Sequence, residues 1–120
     1  MNKPEVIVEM ENLNETIRAK KLELYDVSIR IADRNKSIDE IQTAMMVEIT
    51  NEKDSAGKAL YSNAEKRTVQ LNKQLSESAA YMQMKCELDC DNDIKKILSI
   101  DIEYLINKFK IFECLCTFSK

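Results

Sequence analysis

The sequence predicts an all-α protein folded as a long antiparallel helical hairpin, similar to a coiled coil, that associates with copies of itself. Three observations lead to this fold class. The chain of 120 residues contains one Gly and one Pro, whereas folds with many turns depend heavily on both. Apolar residues recur at heptad spacing through the first half, which is typical of paired helices. A polar segment near the middle offers one connection between two helical halves. The whole chain is expected to form a single helical domain.

The first half of the chain predicts one helix from about residue 5 to about residue 51. Pro4 suits the first turn of a helix, because its missing N–H would have no partner there. A capping box at Ser37 and Glu40 would instead begin a second helix. The heptad continues unbroken across that position and favours one helix. Position a is apolar in all six places, which are Met10, Ile17, Leu24, Ile31, Ile38 and Met45.

Heptad position d alternates between apolar and charged residues. It is occupied by Val6, Leu13, Lys20, Val27, Arg34, Ile41 and Glu48. A charged residue in an apolar seam must either extend its head into water or meet an opposite charge on the facing helix. Both arrangements are open for Lys20 and Arg34.

A loop at about residues 52–62 is predicted to connect the helices, because this stretch holds the only Gly together with Asp and Ser. Ser62 and Glu65 form a capping box, which predicts Ser62 as the N-cap of a helix over about 63–117. A break near residue 91, where Asp91-Asn92-Asp93 would cap a separate last helix, is the alternative. The expected apolar stripe is Ala64, Thr68, Leu71, Leu75, Ala79, Met82, Cys86 and Cys90.

The C-terminal stretch is apolar over a wider arc than one facing helix covers. Apolar residues spaced three and four apart form one stripe of this stretch. This stripe, together with one apolar residue beside it, is predicted to form an interface between copies of the chain, because apolar surface of this extent is unfavourable in water. The predicted interface residues are Ile102, Leu105, Phe109, Phe112 and Leu115. The row that widens the arc is Ile94, Ile97, Ile100, Tyr104, Ile106, Ile111 and Leu115.

The residue inventory speaks against catalysis and against a bound cofactor. The chain has no His, so the commonest proton-transfer side chain and the commonest zinc ligand are missing. A single Gly cannot build a phosphate-binding loop. The four cysteines are expected to be reduced thiols that fill a helical seam, with a zinc site as the minor alternative. We therefore expect no enzyme, no cofactor and no metal.

The cellular setting is predicted to be the cytoplasm. The chain opens Met1-Asn2-Lys3-Pro4-Glu5, without the basic stretch and apolar core of a secretory signal. No stretch approaches the roughly 18 uncharged apolar residues that a membrane span requires. The net charge of −3 does not resemble that of a typical nucleic-acid-binding domain.

The predicted hairpin tip is mildly basic and offers an alternative function. A nucleic-acid-associated accessory, such as a recombination or replication helper, would use this tip to contact phosphates or to stack a base. The candidate contact residues are Lys58, Tyr61, Asn63, Lys66 and Arg67.

The segment from Gly57 to Arg67 reads GKALYSNAEKR and is followed by Leu71, Leu75 and Tyr81. It resembles a segment of small helical proteins of bacterial phages and prophages, in which a Tyr-Ser-Asn-x-Glu-x-Arg loop precedes a long helix. The resemblance brings no established activity. It implies a cytoplasmic accessory protein of a mobile element that acts through protein contacts. Together with the inventory above, it predicts a non-enzymatic interaction or assembly module with an unidentified protein partner.

Overall fold

The computed structural model describes residues 2–118 and shows an all-α antiparallel helical hairpin. Its helices are α1 (Lys3–Asn51), α2 (Ala64–Glu77) and α3 (Ala79–Phe118). By their internal contacts, the described residues divide into two compact units. The first unit contains the chain up to Arg30 and from Asp91 onward, and the second unit contains Ile31–Cys90.

Helix α1 begins two residues earlier than predicted, because Asn2 caps it. The Asn2 Oδ1 atom accepts a hydrogen bond from the Glu5 N–H at 3.0 Å, and the Glu5 carboxylate accepts one from the Asn2 N–H at 3.4 Å. This reciprocal pair is a capping box with Asn in the Ser position. The helix then runs for 49 residues without interruption, so Ser37 and Glu40 lie within it and begin no second helix.

The connection between α1 and α2 is a closed turn. The Asp54 N–H donates to the Lys58 carbonyl oxygen at 2.8 Å, and the Gly57 N–H donates to the Asp54 carbonyl oxygen at 3.0 Å. The Asp54 carboxylate also accepts from the N–H groups of Ala56 and Lys58. Gly57 has φ +80°, a conformation that only Gly adopts without strain. This position explains the one Gly of the chain.

Helix α2 begins one residue later than predicted, and its N-cap is Asn63, not Ser62. The Asn63 Oδ1 atom accepts a hydrogen bond from the Lys66 N–H at 2.8 Å. The predicted capping box of Ser62 and Glu65 therefore does not form around Ser62. Asn is as favourable an N-cap residue as Ser, so both Ser62 and Asn63 could cap this helix. The structure uses Asn63, which directly precedes Ala64.

The return arm is broken at Ser78, and the alternative break near residue 91 is wrong. Ser78 has φ −86° and ψ 110°, outside helical geometry, and its N–H donates to the Leu75 carbonyl oxygen. Its hydroxyl oxygen accepts from the Tyr81 N–H at 3.2 Å, so one serine ends α2 and caps α3. Asp91, Asn92 and Asp93 lie inside α3.

The break changes which face of the return arm is buried. Leu75 is buried as predicted, but Ala79, Met82, Cys86 and Cys90 are exposed. After Ser78 the helix restarts with a new rotational phase, so the stripe predicted to continue at the same spacing turns outward. The buried hydrophobic side chains of the second unit are Ile38, Ile49, Leu75 and Leu88.

Candidate interaction surfaces

The apolar seam of the first unit carries most of its core. The buried side chains from α1 occupy positions predicted by the heptad, and those from α3 include Ile102 of the predicted C-terminal stripe. They are Val6, Leu13, Ile17, Val27, Leu98 and Ile102. Since this unit contains only segments of two helices, each seam is buried against the other helix.

Four of the five predicted interface residues lie on the seam of α3 that packs within the hairpin. Ile102 is buried, and Leu105, Phe109 and Phe112 are half-buried. Their spacing of three and four residues is the spacing that keeps side chains on one helical face, and α1 covers that face. Leu115 is 46% exposed and lies on a different side of α3. Within the hairpin, α1 therefore covers part of the predicted interface stripe.

The apolar row beside the seam remains exposed. Its members on α3 in the first unit are all at least a third accessible: Ile94, Ile97, Ile100, Tyr104, Ile111, Leu115 and, beyond the predicted set, Phe118. Helix α1 has exposed apolar side chains in this unit as well, namely Ile7, Val8, Leu22, Tyr25 and Ile29. Ile106, predicted in this row, is instead half-buried.

The charged residues of the heptad pair with opposite charges on the facing helix. In the first unit, Lys20 Nζ lies 3.7 Å from Asp101 Oδ2. In the second unit, Arg34 Nη1 contacts Glu87 Oε2. Of the two arrangements left open by the sequence, pairing is the one observed for both residues. Glu48, the third charged member, is exposed.

A further ion pair involves residues that sequence reasoning missed. Arg30 Nη2 lies 3.3 Å from Oδ1 of Asp91, whose side chain is only 7% exposed. Asp91 is the one buried polar residue within the described part of the chain. The signal was available, because extending the spacing of Leu98 and Ile102 backwards along α3 places Asp91 on the seam. Its interpretation as a helix cap hid this.

The predicted tip contacts do not form one uniform basic surface. Lys58, Asn63 and Lys66 are exposed, and Tyr61 is half-buried. The Arg67 guanidinium is also half-buried and donates to the Tyr61 carbonyl oxygen at 3.4 Å. Asn63 is occupied as the N-cap. Exposed Glu52 and Asp54 precede these residues in sequence and exposed Glu65 lies among them, so the charge at the tip is mixed.

The cysteines do not fill the seam as predicted. Cys86, Cys90 and Cys114 are exposed, and Cys116 is half-buried. Across residues 2–118, no three His, Cys, Asp or Glu side chains come together in a group that could bind a metal ion. Among these same residues, no helix has the length and apolarity needed to cross a membrane.

Comparison with known proteins gives no relative from which a role could be transferred. No family model, curated protein or solved structure matches this chain. The interaction surfaces described above are therefore the basis for its proposed function.

Proposed function

We propose that this protein is a non-enzymatic interaction and assembly module that self-associates through its first unit. The observation that carries the proposal is the uneven distribution of exposed apolar side chains. Of the sixteen exposed large hydrophobic side chains in the described residues, twelve lie in the first unit and four in the second. The four are Val47, Leu60, Val69 and Met82.

Apolar side chains scattered singly over a surface are normal, but a concentration of them marks an interaction site. Removing apolar area from water contributes about 25 cal/mol per Å². A partner that covers the row on α3 would therefore gain substantial free energy. In the first unit the helices already bury one apolar face each, so the exposed residues are additional to what the hairpin fold requires.

The cellular context belongs to the proposal too. The likeness of the segment Gly57–Arg67 to small phage and prophage proteins supports an accessory protein of a mobile element that works in the cytoplasm. Such a protein would act by assembling with itself and with a further protein partner.

Nucleic-acid binding at the tip is the competing function, favoured by the exposed ammonium groups of Lys58 and Lys66. The mixed charge of the tip weakens it, because non-specific phosphate binding requires several unopposed cations. Half-burial of Arg67 removes a third cation from full exposure.

Sedimentation velocity of the purified chain over a range of concentrations, at low and high salt and with reductant, tests the proposal. We expect association that increases with concentration and changes little with salt, because apolar contacts are not screened by ions. A chain that stays monomeric but binds labelled DNA at low salt, and releases it as salt rises, would establish the competing function.

A further inference from the structure

Helix α3 carries a second heptad row on its exposed side. Ile97, Tyr104, Ile111 and Phe118 recur every seven residues, with exposed fractions of 59, 64, 62 and 86%. Ile100, also 65% exposed, lies three residues after Ile97, in heptad position d. The same position is occupied further along by Asn107 and Cys114, both exposed. We name Ile97, Ile100, Tyr104, Asn107, Ile111, Cys114 and Phe118 the outer row.

The outer row has the form of a seam for one further helix. Apolar residues at a and d that repeat over three heptads direct a helix to pack against another by knobs-into-holes contacts. The seam that faces α1, which includes Leu98, Ile102 and Phe109, is a separate row of the same helix. Helix α3 therefore has two heptad rows, one buried within the hairpin and one exposed.

Charged residues border the outer row in a self-complementary order. Asp101 and Lys108 occupy position e, and Glu103 and Lys110 occupy position g. In an antiparallel helix pair each e residue faces an e residue of the other helix, and each g faces a g, because the two chains run in opposite directions. Each position contains an acid and a base seven residues apart, so each can meet its opposite in a second copy. Asp101 lies 3.7 Å from Lys20 of its own chain as well, so the pair of Glu103 with Lys110 is the one that involves no residue already paired within the hairpin.

We propose that two copies of this chain pair antiparallel through the outer rows of α3, with Ile100 of one copy against Ile111 of the other. In this register Tyr104 faces Asn107, and Ile97 faces Cys114. Glu103 meets Lys110 and Asp101 meets Lys108, each twice by the two-fold symmetry of such a dimer. The inference rests on the proposed function and assigns its surface, its partner and its geometry.

The parallel arrangement fits the same residues less well. It would place Asp93 of one copy against Asp93 of the other in a core position, where like charges repel. It would pair Lys96 with Asp101 and Glu103 with Lys108 and would set Lys110 beside Leu115, so the charged pairs are similar in number and Asp93 makes the difference. The antiparallel register instead places Asp93 near Phe118 at the end of the row, away from the other Asp93, and gives Lys108 and Lys110 an acid each.

Replacing one outer-row residue tests the surface. Ile111→Glu should weaken the dimer about a hundredfold, since it buries a charge in each half of a symmetric interface. The matched control is Val69→Glu, because Val69 is similarly exposed at 65% but lies in the second unit. Circular dichroism should show both variants as helical as the original chain, since neither side chain is buried within the hairpin.

Charge reversal tests the orientation. Glu103→Lys alone should weaken the dimer about tenfold. By the two-fold symmetry, the substitution places a lysine opposite Lys110 in each half of the dimer, so two attractive contacts become repulsive. Adding Lys110→Glu should restore the original affinity in the antiparallel dimer. In a parallel dimer Glu103 would instead lie beside Lys108, so the double variant would stay weak.

The outcomes separate this inference from the proposed function. Sedimentation of the unsubstituted chain as a monomer at the highest soluble concentration would overturn both. A dimer that tolerates Ile111→Glu, or one that the double charge reversal fails to restore, would overturn the antiparallel outer-row pairing and leave self-association intact.

Discussion

The two units of this protein differ in the regularity of their backbone and in how much apolar surface they expose. The first unit consists of uninterrupted stretches of α1 and α3 and holds twelve of the sixteen exposed large hydrophobic side chains of the described residues. The second unit holds the turn at Gly57 and the break at Ser78, and exposes few large apolar groups. Irregular backbone is thus concentrated in one unit and exposed apolar surface in the other. An uninterrupted helix can keep a second heptad row in phase over its length, whereas a break resets the phase.

The largest expected effect separates the two apolar faces of α3 in the first unit. Ile102 is 7% exposed and Ile100, two residues earlier, is 65% exposed. Ile102→Ala should lower the free energy of unfolding by about 2–5 kcal/mol, because it leaves a cavity in the seam. Ile100→Ala should change it by less than about 0.5 kcal/mol in dilute, monomeric protein. Urea denaturation measures both, and equal losses would mean that the two faces do not differ.

An intermediate effect concerns the ion pairs of the first unit. Arg30→Ala should cost about 1–3 kcal/mol, because the Asp91 carboxylate is buried and loses a charged hydrogen-bond donor. Lys20→Ala should cost about 0–1 kcal/mol, since the side chains of Lys20 and Asp101 are 33 and 46% exposed. The comparison uses thermal or chemical unfolding at one ionic strength. A larger loss for Lys20→Ala than for Arg30→Ala would contradict the assignment of Asp91 as the more buried of the two acids.

The smallest effect concerns the irregular second unit. Asn63→Ala should destabilise the protein by about 0.5–2 kcal/mol, the usual loss when an N-cap acceptor is removed. Ser62→Ala, one residue before the cap, should cost less than about 0.5 kcal/mol. Chemical denaturation of the two variants side by side distinguishes the cap that is used from its neighbour. A costly Ser62→Ala with a neutral Asn63→Ala would reverse the assignment.

Long-range periodicity made the fold class and the course of α1 predictable. Each heptad position adds evidence for the same face, so one competing signal at Ser37 could not outweigh six apolar a positions. The same reasoning identified Lys20 and Arg34 as charged members of the seam. The scarcity of Gly and Pro limited the number of turns, and the only Gly lies in the turn, at a positive φ.

Features decided by one or two hydrogen bonds were not predictable. Ser62 and Asn63 are both good caps, and their difference in free energy is small beside the stability of the helix. The break at Ser78 was missed because the predicted apolar stripe of the return arm appeared to run through it, from Leu75 to Cys86. Because of that error, Met82, Cys86 and Cys90 were predicted to lie on the buried face, whereas they are exposed. The rotational phase of α3 after Ser78 decides which residues face α1.

The closed turn at Asp54–Lys58 has a consequence for how the chain folds. Its hydrogen bonds join residues only a few positions apart, whereas the ion pairs Arg34–Glu87 and Arg30–Asp91 join residues 53 and 61 positions apart. Closing a short loop costs less conformational entropy than closing a long one. Packing of α1 against the return arm is therefore expected to start at the turn and to progress towards the two ends of the chain. During synthesis the apolar stripe of α1 near Val6 and Leu13 is therefore expected to stay exposed until the last part of α3 has been made.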